Sequence, residues 1–222
     1  MEILNLGSHR IGVRFPEKGL RKGKNPAILL NDGELIEQLN LRTERAVLVG
    51  VYPNNRLSEY TPWPEPAIRP GTPDFGGQLG QYHRELNNEI FPALIDEYAL
   101  DTEKLAYGGY SLGGLAATMS LWETDAIAAV FSLCGSFWYP GVADFIEEHV
   151  PKNYSAQVYL QNGIREGDGH NNRLCDAYSY AQRVHTALQA TCGAKTVLDD
   201  YGHHDRQSER LNAALRWVER VL

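Results

Sequence analysis

Ser111 has a glycine two residues away on either side, in Gly109-Tyr110-Ser111-Leu112-Gly113, and Gly114 follows. The run Lys104 to Gly108 before it has strand character, and the run Leu115 to Trp122 after it has helix character. G-x-S-x-G spacing between a strand and a helix predicts a nucleophile at a sharp turn. The glycines make such a turn possible, because side chains there would strike the neighbouring strand and helix. A helix starting beneath the serine aims its first N–H groups at any negative charge that forms on a bound carbonyl.

A hydroxyl is a weak nucleophile without a base. In a strand–turn–helix hydrolase the acid and then the histidine follow the serine in the chain. His149 ends a short helix, His170 lies in a polar loop and His185 sits inside a helix, so these fit poorly. His203 and His204, in Asp199-Asp200-Tyr201-Gly202-His203-His204-Asp205, lie between the last strand-like run and the last helix. One of the pair is expected to be the base. The acid belongs on the loop after the preceding strand, where Gln161 to Gly169 offers both Glu166 and Asp168. A carboxylate there would orient the imidazole and stabilise its charged form. Two backbone N–H groups are needed to hold an oxyanion; the expected donors are Leu112, just after the nucleophile, and Glu34, on the loop after an early strand. His203, His204 and Asp205 do not form a metal set: adjacent residues rarely converge and no spaced third ligand is present. No metal or cofactor is expected.

The elements that must position these groups alternate along the chain. Pro26 to Leu30, Ala46 to Val51, Ile127 to Leu133, Gln157 to Leu160 and Lys195 to Leu198 read as strands, mostly buried on both faces. Ile3 to Phe15 reads as strand at an antiparallel edge. Helices are expected over Glu34 to Leu41, Gln81 to Tyr98 (kinked or started at Pro92), Arg173 to Ala190 and Gln207 to Leu222. The pattern predicts an α/β fold: a mostly parallel central sheet with helices on both faces. The irregular stretch from Tyr52 to Gly80 carries Tyr60, Trp63 and Phe75 and is expected to wall the active site, leaving no separate lid domain.

The chain has 222 residues, 43% hydrophobic and 22% charged, which predicts one soluble domain spanning 1–222. A net charge of -7 argues against nucleic acid or an anionic membrane surface as partner. The first residues lack the basic start and apolar run of an export signal, and no run is long enough to span a bilayer. The three cysteines, Cys134, Cys175 and Cys192, are odd in number and widely spaced. Free thiols in a cytoplasmic protein are expected.

Several motifs together resemble the putative-esterase branch of the α/β-hydrolases, which includes siderophore esterases, S-formylglutathione hydrolases, feruloyl esterases and mycolyltransferases. Leu29-Leu30-Asn31-Asp32-Gly33 is similar to the family's strand and oxyanion loop. Asn55 to Pro62 resembles its R-x-x-E-Y-T-P segment, and Gly109 to Gly114 its G-x-S-x-G-G elbow. Ser132 to Trp138 resembles its S-x-S-x-x-W element. Gly163-Ile164-Arg165-Glu166 resembles its G-x-x-D/E, which implies that Glu166 is the acid. Gly202-His203-His204-Asp205 resembles its G-x-H-D/N, which implies that His204 is the base. The resemblance implies an α/β-hydrolase fold and a serine esterase acting on a small-molecule ester. An acyltransferase or thioesterase would use the same acyl-enzyme, and a binding protein could retain the fold without catalysis. Arg56 and Trp138 are the expected substrate contacts, with Trp63 a further ring. Arg56 could equally pair with Glu59, and buried tryptophans commonly serve the core.

Overall fold

The computed structural model describes residues 1–222. Its first half contains β1 (Glu2–Leu6), β2 (His9–Arg14), β3 (Asn25–Asn31), α1 (Leu35–Gln38), β4 (Val47–Tyr52), α2 (Arg56–Glu59), β5 (Pro64–Glu65), β6 (Phe75–Gly76), α3 (Leu79–Glu85) and α4 (Phe91–Tyr98). The second half contains β7 (Leu100–Tyr110), α5 (Leu112–Glu123), β8 (Ala129–Leu133), α6 (Val142–Glu148), β9 (Gln157–Gly163), α7 (Ala177–Cys192), β10 (Lys195–Asp199) and α8 (Gln207–Val221).

The main sheet has eight strands in the order β1-β2-β4-β3-β7-β8-β9-β10. β1 pairs antiparallel with β2, and β2 antiparallel with β4. Every later pairing is parallel. The apolar runs of β3 and β8 are buried along their whole length because helices cover both faces of a parallel sheet. One face packs Tyr82, Leu94, Leu115, Val142 and Val184 from α3 to α7. The other packs Ile36 from α1 and Leu211, Leu215 and Val218 from α8. The chain leaves β3 for β4 on one side and returns to β7 on the other. That reversal opens a crevice at the carboxyl ends of β3 and β7, the usual ligand position in such sheets. This is the α/β architecture expected from the alternating pattern.

Three helices differ from expectation, and the one expected from Arg173 opens with a 3₁₀ turn over Arg173–Asp176 before α7 begins at Ala177. The run from Gln81 to Tyr98 is not one kinked α-helix. It is α3, a π-turn over Leu86–Ile90, then α4 with Pro92 in its first turn. Proline lacks an N–H and its ring displaces the carbonyl four residues back, so the turn widens just ahead of it. The helix expected from Glu34 to Leu41 stops at Gln38, and Asn40 adopts a left-handed backbone (φ 47°).

Between β4 and α3, residues 53–78 carry α2 and the short β5–β6 ladder. Aromatic contacts bind this segment to the chain after β8. Phe75 meets Tyr139 edge-on at 5.2 Å, Trp63 Nε1–H donates to the Pro140 carbonyl at 2.9 Å, and the Tyr139 hydroxyl donates to the Trp63 carbonyl at 2.7 Å. No helix is long and apolar enough to cross a membrane.

Candidate active site

Ser111 sits between β7 and α5 with φ 59° and ψ -122°, a backbone conformation that an L-residue holds only when its surroundings enforce it. The enforcement is visible. Ser111 N–H donates to the Leu133 carbonyl at 2.9 Å, and its own carbonyl accepts from Ser136 N–H at 3.1 Å. A Cβ on Gly109 would lie 2.5 Å from the Gly113 carbonyl group, and one on Gly113 would lie 2.9 Å from Asn31 Cβ. Both glycines are therefore needed for the elbow to close.

The ring facing the serine belongs to His203. Its Nε2 lies 3.0 Å from Ser111 Oγ, and its Nδ1 lies 2.9 Å from Glu166 Oε2. The expectation that His204 faces Ser111 is thus corrected by one residue. Adjacent side chains on the turn diverge, and His204 packs edge-on against His203 with ring centroids 4.9 Å apart. It lines the cleft instead. Burial, then the neighbouring His203, pull the His204 imidazole below its ordinary range.

Of the two candidate acids, only Glu166 reaches the imidazole. Asp168 is 64% exposed and pairs with Arg165 at 3.2 Å. Glu166 is 4% exposed. Its Oε1 accepts from Gly163 N–H at 2.7 Å and from the Asn162 amide at 3.2 Å. Burial alone would raise this carboxyl, but the hydrogen bond and charge of His203 and the Gly163 N–H outweigh it and hold the group below the usual carboxylate range. Asn162 is oriented in turn by His185, whose Nε2 lies 3.0 Å from the Asn162 amide oxygen. That acceptor requires the proton on Nε2. Burial pushes His185 down to about 4, which keeps it neutral at pH 7.

The loop after β3 lies against the elbow, as the contact between Asn31 and the Gly113 position shows. Asp32 adopts φ 58°, and its N–H is already engaged, donating to the Tyr60 hydroxyl oxygen at 3.0 Å. Gly33 N–H donates to the Val51 carbonyl at 2.9 Å. Glu34 N–H has no partner in the protein, and Leu112, the first residue of α5, begins a helix whose opening N–H groups have no acceptor within it.

Arg56 pairs with neither Glu59 nor the cleft. Its Nε and Nη2 fork onto Asp32 Oδ1 and Oδ2 at 2.7 and 2.9 Å, and Nη2 also reaches the Tyr110 carbonyl at 3.3 Å. The arginine therefore joins the β3 loop to the elbow. Glu59 instead pairs with His9 at 3.2 Å. Trp138 does line the cleft, a space of about 260 Å³ shared with Ser111, His203, His204, Ile68 and Leu174. Ile68 comes from the 52–80 segment, which forms the expected wall. Trp63 lies behind it, bonded to Pro140. A larger groove of about 690 Å³ between α6 and α7 contains none of these groups.

Cys134 Sγ, Glu166 and His203 offer ligand atoms within 4.8 Å of one another. Arg210 Nη1 is 2.8 Å from the same sulfur, and a guanidinium in that place repels a cation. The set belongs to the serine–histidine–carboxylate arrangement rather than to a metal centre.

Sequence reasoning missed Asn162, His185, Tyr110 and Arg210. One of them had a signal. Arg210 shares a helix face with Ala214, Trp217 and Val218, so a charge falls on the buried stripe of α8.

Residues 7–217 match the family model described as "Putative esterase". The chain is 28% identical over 204 residues to the uncharacterized protein YbbA of Bacillus subtilis (strain 168), covering 83% of this chain and 82% of that one. Its fold is similar to the BES protein from Bacillus cereus, with a TM-score of 0.74, 20% identity, and 95% and 90% of the two chains covered. It is also similar to the siderophore hydrolase EstA from Aspergillus nidulans, with a TM-score of 0.74, 16% identity, and 96% and 90% covered. The chain has an α/β-hydrolase fold with Ser111 on the tight turn between β7 and α5. The chain belongs to the putative esterase family, a class of carboxylic ester hydrolases.

Proposed function

We propose that this esterase works through a covalent acyl-enzyme on Ser111, with His203 as general base and acid and Glu166 as the group that orients it. The observation that carries the reading is the continuous line Ser111 Oγ–His203–Glu166, with contacts of 3.0 and 2.9 Å. Ser111 Oγ attacks the ester carbonyl as His203 Nε2 takes its proton. The carbonyl oxygen becomes an oxyanion, held by the N–H groups of Leu112 and Glu34 at the start of two helices. His203 returns the proton to the departing alkoxide, and Glu166 stabilises the imidazolium between the two steps. Water, deprotonated by the same imidazole, then frees the acid and regenerates Ser111.

The cleft favours an ester with one apolar or aromatic half, seated against Trp138, Ile68 and Leu174. Beyond His203 and His204 the surface turns polar, with Arg165, Asp168, His170 and Asp205. The other half of the ester is therefore polar. The likeness to a siderophore hydrolase puts siderophore-type esters first among candidates, ahead of simple aryl esters. The test is labelling and turnover. A fluorophosphonate should modify wild type at Ser111 and leave Ser111→Ala unmodified. Ser111→Ala should lose turnover of p-nitrophenyl esters by at least ~10³-fold. A folded Ser111→Ala protein with undiminished turnover refutes the acyl-enzyme.

A further inference from the structure

The histidine lies on residues 200–206, a connection with neither helix nor strand to fix it. Its peptide planes must be held by side chains. Arg210 Nη1 donates to the Gly202 carbonyl at 3.0 Å, and the Tyr110 hydroxyl donates to the carbonyl of His203 itself. Two consecutive carbonyls of the loop are thus bound by residues from two other elements. Tyr110 is the residue immediately before the nucleophile, on the last position of β7.

The donor directions are forced. The Tyr110 oxygen is approached by Arg210 Nη1 at 3.2 Å and by the Cys134 sulfur at 3.2 Å. Arginine only donates. The carbonyl of His203 can only accept. The single hydroxyl hydrogen of Tyr110 is left for His203. Arg210 is fixed in turn. It is 2% exposed, with Nε and Nη2 on Asp199 Oδ2 and Oδ1 at 2.9 and 2.5 Å, where β10 ends. A guanidinium buried this deeply is tolerable only with its donors paired, and the pairing fixes both ends of the histidine loop to it.

We propose that Arg210 and Tyr110 form a clamp that positions His203, tying the loop of the base to the strand of the nucleophile and to the end of β10. The proposal rests on the reading of His203 as the base. Neither clamp residue touches the reacting atoms, so both are positioning residues acting through His203.

Tyr110→Phe removes the hydroxyl and keeps the ring. Arg210→Met removes the guanidinium, and Arg210→Lys restores the charge without the fork. Each is measured with p-nitrophenyl acetate, alone and in a His203→Ala background, together with the rate of fluorophosphonate labelling. Tyr110→Phe should lower kcat about ten- to a hundredfold, the scale of a small misplacement of a catalytic group, with KM within about twofold. Labelling of Ser111 should slow in parallel. Arg210→Lys should recover part of what Arg210→Met loses. In the His203→Ala background Tyr110→Phe should have no further effect on kcat, because a residue that works through the imidazole has nothing left to position. If Arg210→Met fails to fold, Tyr110→Phe still decides the matter. A kcat within twofold of wild type for Tyr110→Phe overturns the clamp. So does an equal fold-loss with and without His203, which marks a merely structural hydroxyl. Undiminished turnover in His203→Ala alone would remove the base and the clamp with it, while Ser111→Ala would still report on the nucleophile.

Discussion

Glu166→Gln is the substitution whose outcome the structure fixes most tightly. Glutamine has the shape of glutamate, so packing survives, and the question is which way the amide turns. The Oε1 position faces two donors, Gly163 N–H at 2.7 Å and the Asn162 amide at 3.2 Å. Placing an NH₂ there would leave buried donors facing one another, at a cost of about 1–3 kcal/mol for each unsatisfied group. The glutamine oxygen must therefore take that position, and the NH₂ must face His203 Nδ1, 2.9 Å away in the native protein. An NH₂ there requires Nδ1 to accept, which moves the ring proton to Nε2. Nε2 then presents N–H to Ser111 Oγ and cannot take its proton. The expected loss in kcat is about 10³- to 10⁴-fold, the scale of a wrong-tautomer substitution in a serine–histidine–carboxylate site. The assay is p-nitrophenyl ester turnover near neutral pH, with thermal unfolding to show that the fold is retained. Asp168→Asn is the control and should be mild. A folded Glu166→Gln enzyme within tenfold of wild type refutes the reasoning and points to a serine–histidine pair that needs no carboxylate.

His203→Ala should cost nearly as much as Ser111→Ala, because the two act as a unit, and His204→Ala should cost under about tenfold; the reverse ranking in kcat/KM would return the base to His204. Arg56→Met leaves the buried Asp32 carboxylate unpaired and should destabilise the protein by about 2–3 kcal/mol, below the range for fully buried pairs because the arginine is 35% exposed; an unchanged midpoint in urea unfolding would show that the fork contributes nothing. His83 and His185 are both pushed down to about 4 by burial. Each folds as the neutral ring, so its contribution is complete above the unfolded value near 6.5 and is lost as pH falls from there toward 4. His9 runs the other way: burial opposes its charge, but Glu59 and Glu85 outweigh burial and raise it, so its contribution is complete below about 6.5 and fades above. Urea unfolding at pH 7.5 and 5.0 should show a net fall in acid that shrinks in His83→Leu; equal pH dependence in that variant would be against it.

The chemistry was more legible in the sequence than its exact register. The elbow could be read because its glycines are steric requirements that no other residue meets, at Gly109 and Gly113 above all. The strands could be read because burial on both faces leaves continuous apolar runs. Glu166 was separable from Asp168 only by resemblance, since both sit on one turn and their exposure is decided by the return of Asn162 and His203 over it. The doubled histidine was ambiguous for a different reason. Local spacing does not say which of two adjacent rings a turn aims inward; that depends on which carbonyls are captured, here by side chains 8 and 93 residues away in the chain. The Asp32 partner of Arg56 was not legible because the nearer carboxylate in sequence, Glu59, is taken by His9.

The layout of the sheet explains why such capture is needed. In spatial order the parallel strands β3, β7, β8, β9 and β10 end in the Asp32 loop, Ser111, the segment carrying Cys134 and Trp138, Glu166 and finally His203. Neighbouring strands lie roughly 4.8 Å apart, so the ends of β7 and β10 are separated by three spacings, about 14 Å. A histidine side chain spans less than half of that. The loop after β10 must therefore fold back across β9 before Nε2 can stand 3.0 Å from Ser111 Oγ. Glu166 meets the imidazole on the way, from the turn that follows the intervening strand β9. Glu166 holds the imidazole from its Nδ1 side only. Contacts that reach from the nucleophile's own strand to the loop supply the remaining pull, and Tyr110, at the last position of β7, makes one directly to the His203 carbonyl. With His203 as the proposed base, the residue beside the serine holds the loop that carries it, which is why a phenol far from the reacting carbon is expected to control turnover rather than substrate affinity.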